Sequence, residues 1–339
     1  MNETNETLVD ATPVAVSPEE SKGGLPGSTL KIIAIITMFI DHTGAVILER
    51  YLSRIDMTRA LNPESVDFDY LRLSLLDGLM RAVGRIAFPI FIFLLVQGFT
   101  YTHSRTKYVL RLALFCLIAE IPFNMAFRGK VFTTDYQSVF LTITIGFLFL
   151  WFAEDIALKN NVKAWLGIPS MILSSAALGL WVTKKVANTG LVRGTTYVIG
   201  TTVVFALIIS LAQMIYGSKH TFETMYKVSF SLVGMAAAMW LADFLKTDYA
   251  GLGVLAIATC YAFRENKMRS MIMTIVALTT FNLFEVFAFL GLPFVAFYNG
   301  KRGLKLKYIF YIFYPVHLLI LHLISWLAGF FAYPTPFVF

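Results

Sequence analysis

The stretch Leu30–Arg50, LKIIAIITMFIDHTGAVILER, sets an acid and an imidazole, Asp41 and His42, in the second half of an apolar run of membrane length. An ionised side chain at a bilayer centre costs about 2.5–3.5 kcal/mol on insertion scales, so a run that keeps such groups points to their use. Lys31 precedes His42 by eleven positions. On a helix that spacing is about three turns, nearly one face and roughly 16 Å. A cation at the membrane edge and a histidine at depth then line one path. His42 suits a general base or a nucleophile. Asp41, its sequence neighbour, faces elsewhere on the helix. The group that orients His42 therefore has to come from another span. The alternative is a structural polar pair bonded to neighbouring helices.

Four further clusters carry chemistry-bearing residues. In the first, Arg81 and Arg85 are four apart and share a helix face. Gln97 follows at depth, then His103, Arg105, Lys107 and Arg111 around a short turn. Guanidinium forks and lysine charges suit phosphate groups; the plainer reading is two boundary belts of charge. In the second, Glu120 with Asn124, then Gln137 and Thr142, put polar groups at the facing ends of two successive runs. Glu120 is placed to orient His42 or to pair with Arg85; an interhelical hydrogen-bond network is the alternative. In the third, Asp248 and Tyr249 open a short run, and Asp248 reads as a helix cap or as a polar helix start inside a cavity. In the fourth, Asn299-Gly300 marks a turn followed by Lys301, Arg302, Lys305 and Lys307. Tyr311, Tyr314 and His317 then recur at three-residue spacing on one side of the last run, with Pro315 as a kink between them. His317 is a second candidate to orient His42.

The elements that must position these residues are membrane helices. Hydrophobic residues make up 57% of the 339 and charged residues 14%, where a soluble domain carries about a quarter charged. Mean hydropathy is +0.69. The expected fold is an all-α polytopic integral membrane protein of about ten transmembrane helices, nine to eleven. Their approximate limits are 30–49, 84–103, 108–127, 137–154, 164–183, 195–216, 226–245, 249–263, 270–298 and 307–329. The ninth run is long and holds Asn282, Glu285, Gly291 and Pro293, which suggests a broken helix lining a cavity. The segment FDYLRLSLLDGLMRAVG before the second span has the spacing of an amphipathic interfacial helix. Residues 1–29 read as a disordered polar tail, 30–329 as a single membrane domain and 330–339 as a short C-terminal tail. The net charge of +7 reflects loop lysines and arginines, not nucleic-acid binding. Cys116 and Cys260 both lie inside apolar runs and read as packed thiols, and no metal site is expected. The acidic N-terminal segment and the arginines after the first span favour an outside N-terminus.

Taken together, these residues resemble the TraX family of membrane proteins. The matching stretches are LKIIAIITMFIDHTGAV, GRIAFPIFIFLLVQGF, HSRTKYVLRL, AEIPFNMAF, QSVFLTITIG, TDYAGLGVL, FYNGKRG and YIFYPVHLLIL. They run in the family's order from about residue 30 to residue 322, with little that is recognisable at 155–225. The name-giving member acetylates the N-terminus of pilin. The family looks related to a wider group of transmembrane acyltransferases that carry a basic residue, ten intervening residues and a histidine in the first span, as Lys31 and His42 do. The resemblance implies an acyltransferase-like bundle in the plasma membrane, with the N-terminus in the cytoplasm, against the local charge pattern. It implies acetyl-CoA as acyl donor and an amine or hydroxyl of a cell-surface acceptor, protein or glycan. His42 is then the catalytic histidine, with Asp41, Glu120 and His317 as its candidate helpers. Lys31 and Arg85 would meet the CoA phosphates, with Arg81, Arg105 and Lys107 as further cations. Gln97, His103, Asn124, Gln137, Asp248, Tyr249, Asn299, Arg302, Tyr311 and Tyr314 would line the pore. The rival reading is a small-molecule or proton-coupled transporter, since intramembrane acids and broken helices serve transport as well. A third is a non-enzymatic assembly factor for a surface appendage.

Overall fold

Pro26, extended at φ −73° and ψ 163°, stands at the start of α1 (Gly27–Thr43). In this computed structural model, which describes residues 23–61, 68–190, 194–304 and 307–332, the chain is helical throughout its spans. Gly24–Ser28, expected as the end of a flexible tail, are tied instead to the segment before the last helix. Leu25 N–H donates to the Phe297 carbonyl (2.7 Å), Gly27 N–H to that of Lys301 (2.8 Å) and Ser28 N–H to that of Arg302 (3.1 Å). The rest of both expected tails, residues 1–22 and 333–339, lies outside the described residues.

After His42 the first helix passes through a π turn, Gly44–Leu48, into α2 (Glu49–Leu61). Such turns recur at functional sites. Helix α3 (Phe68–Gly84) is the expected amphipathic segment, but it feeds α4 (Ala87–Tyr101) through a turn at Arg85–Ile86, so that Phe68–Tyr101 forms one 34-residue apolar span. Phe68, Leu71 and Leu75 face outward from it, while its C-terminal turns pack on α1. Ser104 caps α5 (Arg105–Arg128) by accepting from Lys107 N–H, and Gly129 closes that helix in the left-handed region at φ 65°. There follow α6 (Val139–Phe152), α7 (Ala164–Asn188), α8 (Thr195–Lys219), α9 (Phe222–Phe244), α10 (Ala250–Ala262), α11 (Lys267–Thr279), α12 (Leu292–Ala296) and α13 (Lys307–Leu327).

Among the described residues eight helices are long and apolar enough to cross a bilayer, and Ala250–Ala262 and Leu283–Ala296 are shorter apolar helices. The ninth expected run breaks where its polar residues sit. Helix α11 ends at Thr279, the Asn282 side chain accepts from Phe284 N–H (3.2 Å), and a 3-10 stretch, Leu283–Gly291, leads into α12.

Helix α4 is central. It packs against α1, α6, α10 and α11, and Ile90, Ile92, Phe93, Val96 and Phe99 are buried. Helix α8 is the opposite case, showing Tyr197, Val203, Leu207 and Leu211 to the lipid side. Lipid tails are as apolar as these side chains, so its attachment rests on close backbone approach and polar contacts. Gln213 Nε2 donates to Ser175 Oγ (3.0 Å), and Ser229 Oγ donates to Gln213 Oε1 (2.5 Å), linking α7, α8 and α9. At Gly179 a Cβ would lie 2.8 Å from the Ala206 backbone nitrogen on α8. Cys116 and Cys260 are buried free thiols, as expected.

Substituting Gly179→Val should therefore push α8 off α7 and destabilise the fold by about 1–3 kcal/mol. Thermal unfolding in detergent checks this. Gly200→Val on α8, where nothing lies within 4 Å of the added carbon, should leave the midpoint unchanged.

Candidate functional site

Asp41 and His42 are neighbours in sequence and present opposite surroundings. Asp41 turns to α3, where its carboxylate takes two arginines: Arg81 Nη1 donates to Oδ2 (2.7 Å) and Arg85 Nη2 to Oδ1 (3.1 Å). Gly84 makes this approach possible, since a Cβ there would fall 2.2 Å from Asp41 Oδ1. Arg85 reaches on to Glu285 Oε1 (2.8 Å), whose side chain is 1% exposed, and Arg81 Nε meets Glu49 Oε1 (3.3 Å). Three carboxylates thus share two guanidiniums inside the bundle. Mutual pairing is what lets such charges stay buried.

His42 turns to α13. Its Nδ1 lies 2.7 Å from Nε2 of His317, and the two rings are nearly parallel (4°) with centroids 5.0 Å apart, meeting edge to edge through these nitrogens. His317 Nδ1 is 2.8 Å from the Phe313 carbonyl, one turn back on α13. Phe127 and Tyr314 close around His42 edge-on, with centroids at 5.4 and 5.9 Å.

A cavity of about 610 Å³ lies beside this pair. Its basic side chains are Lys31, Arg111 and Arg302, with the His103 imidazole beside them, and among the described residues no carboxylate lines it. Lys31 sits over the Phe310 ring at 5.3 Å. From this basic end the cavity runs past Phe88, Phe91 and Phe140 to Met38 and Tyr314. Met38 is four residues before His42 on α1, and Tyr314 touches both imidazoles, with centroids 5.9 Å from His42 and 5.6 Å from His317. The buried Tyr314 hydroxyl has no hydrogen-bond partner.

The family model described as "TraX protein" matches residues 26–183 and 188–325. The chain belongs to the TraX family. A similar curated protein is the "Probable fimbrial assembly protein FimC, serogroup H1" of Dichelobacter nodosus, 26% identical over 303 residues, which cover 86% of this chain and 92% of that one. No solved structure matches. Family and helices together make it a multi-pass protein of the plasma membrane.

In this TraX-family chain the expected site residues divide into groups. Lys31, Gln97, His103, Arg302, Tyr311 and Tyr314 line the cavity. His42 and His317 meet behind its wall, so of the expected path from Lys31 to His42 only Lys31 lines the cavity. Arg81 and Arg85, expected on the donor's phosphates, are instead consumed by Asp41, Glu49 and Glu285 on the other face of α1. Arg105 and Lys107 stand outside the cavity as well. Arg105 pairs with Asp155 (2.6 Å) and lies over the Phe99 ring, because the start of α5 meets the end of α6, while Lys107 is exposed. Glu120 reaches neither His42 nor Arg85; its Oε2 accepts from Ser138 N–H (3.1 Å) at the head of α6. Asn124, one turn on, is buried away from the cavity.

Gln137, Asp248 and Tyr249 form a separate knot at the α5–α6 and α9–α10 connections. Asp248 N–H donates to the Gln137 carbonyl (2.8 Å), Tyr136 donates to Asp248 Oδ1 (2.9 Å), and Thr142 donates to the Asp248 carbonyl. Asp248 does not cap α10, whose N-cap residue, Tyr249, makes no side-chain cap bond. Tyr249 stacks on Phe88 at 3.8 Å from a left-handed backbone at φ 60°. Asn299 lies outside the cavity and ties the turn to the Gly24 carbonyl (3.1 Å), while Gly300 and Arg302 beside it line the cavity. Sequence reasoning did not single out Glu49; it placed Arg111 only within the cationic turn and Glu285 only in a broken helix lining a cavity. Glu285 carried the clearest signal, a lone carboxylate in an apolar run.

Breaking the ion cluster at Arg85 would strand Glu285 as a buried unpaired charge. Arg85→Met should cost about 3–5 kcal/mol, and Arg85→Met with Glu285→Met should recover part of that loss. Unfolding curves of the two variants against the unaltered protein check the sign.

Proposed function

We propose that this chain is a membrane-embedded acyltransferase that takes its acyl group, most simply acetyl, from acyl-CoA. The observation that carries the reading is the cavity itself. It is cationic at its Lys31–Arg302 end, with no carboxylate among the described residues lining it, aromatic along its length, and walled at its far end by the tyrosine that touches the histidine pair. A nucleotide thioester has that form: phosphates at one end, a thin neutral arm, and a reactive carbonyl at the tip. Lys31, Arg111 and Arg302 take the phosphates and the aromatic walls take the arm. His42 removes a proton from an acceptor amine or hydroxyl as that atom attacks the thioester carbonyl. The carbon–sulfur bond then breaks, CoA leaves as the thiolate, and the proton held by His42 returns to it. In a variant of this route His42 carries the acyl group itself. The acceptor is a component of a surface appendage or cell envelope. What supports this part is the fimbrial-assembly name of the similar protein and the pilin acetylation of the family's name-giving member.

Purified protein in nanodiscs, given labelled acetyl-CoA, should bind it and release CoA. His42→Ala should keep binding and lower turnover by about 10²–10⁴-fold. Lys31→Met with Arg302→Met should weaken binding instead. A wild type that neither binds acetyl-CoA nor releases CoA sinks the reading. A proton-coupled transporter is the second reading, favoured by the buried Asp41–Arg81–Arg85–Glu285 cluster. Solute flux into proteoliposomes that ignores CoA would select it.

A further inference from the structure

We propose that His317 is a positioning residue that sets the tautomer of His42 and so decides which of its nitrogens is basic. The inference rests on the acyl-transfer reading for its consequence, but its premise is geometric. The Phe313 carbonyl can only accept, so the His317 Nδ1 at 2.8 Å from it carries the proton. With that ring uncharged, His317 Nε2 is a bare lone pair. The 2.7 Å contact to His42 Nδ1 then needs a proton on His42. With His42 uncharged too, its Nε2 is left as the lone pair. One main-chain carbonyl therefore reads through two rings and presents a single basic nitrogen.

The arrangement does the work that a carboxylate does behind a catalytic imidazole. The acids within reach do not do it. Asp41 is on the other side of α1 with two arginines, and Glu120 is held by Ser138 N–H. A neutral orienting group holds the tautomer without adding a charge to the bilayer interior, where an unpaired ion is expensive. It also gives the abstracted proton somewhere to go. When His42 Nε2 takes a proton from the acceptor, the Nδ1 proton can shift along the 2.7 Å bond to His317 Nε2. The charge is then shared over two hydrogen-bonded rings; as the thiolate leaves it takes the His42 Nε2 proton, and the Nδ1 proton moves back to His42. No atom or electron is left over.

Histidine-labelled protein in lipid bilayers, read by nitrogen-15 solid-state NMR, tests the premise without any activity. Substitutions at His103, His220 and His322 assign the remaining two rings. The expected spectrum has His42 protonated on Nδ1 and bare on Nε2, and His317 with the same pattern. His317→Phe should turn His42 into a mixture of tautomers. It should also lower kcat by about 10²-fold with the KM for acetyl-CoA unchanged. His317→Gln, whose amide oxygen can still accept, should restore part of both. A proton on His42 Nε2 in the wild type, or a His42 pattern unmoved in His317→Phe, overturns the proposal. A correct spectrum in a protein that turns over no acetyl-CoA overturns the acyl-transfer reading and leaves the tautomer assignment standing.

Discussion

The bond between Asp41 and its two arginines is the constraint on which the rest of the site depends. Charges this deep are tolerated only when paired and hydrogen-bonded. Pairing Asp41 with Arg81 and Arg85 fixes the rotation of α1 against α3. Once α1 is so turned, His42 has no choice of direction. It lies about 100° further round the helix, facing α13 and His317. Arg85 carries the constraint on to Glu285 in the broken ninth run. Helices far apart in sequence are thereby held in one register around α4.

The same rotation sets what the cavity receives. Lys31 and Met38 lie on the cavity side of α1, in the angular range of His42, and the arginine face is excluded from it. Among the described residues, the cations that remain for an anionic ligand come from three places: Lys31 on α1, Arg111 on α5 and Arg302 before α13. Arg302 stands there because Asn299 and the residues after it pair with Gly24–Ser28, which ties the entrance of the last helix to the start of the first. Tyr314 then joins the cavity to the histidines, at the point where α1, α6 and α13 approach one another.

Most elements are legible in the sequence because their signals are strong and local. The turn at His103–Lys107 and the break in the ninth run are read from the sequence, and the structure starts α5 at Arg105 and ends α11 at Thr279 before that break. Arginines are a harder case. Arg81, Arg85 and Arg105 have the residue type that suits phosphate, but the type says nothing about which anion reaches it first. Asp41, Glu285 and Asp155 do so, and each is a carboxylate from a different helix. Glu120 fails for a related reason: an orphan N–H at the head of α6 is nearer than either partner expected for it.

Composition and run length alone determine that this is a polytopic helical membrane protein, because a bilayer admits few other solutions to the backbone hydrogen-bond problem. Helical periodicity alone separates Asp41 from His42 and aligns Lys31 with His42. The motifs alone carry the TraX family. Only the tertiary structure decides which polar residue answers which. Each of these side chains has several chemically sound partners in the sequence, and the winner is set by helix rotation and interhelical distance, which local pattern does not encode.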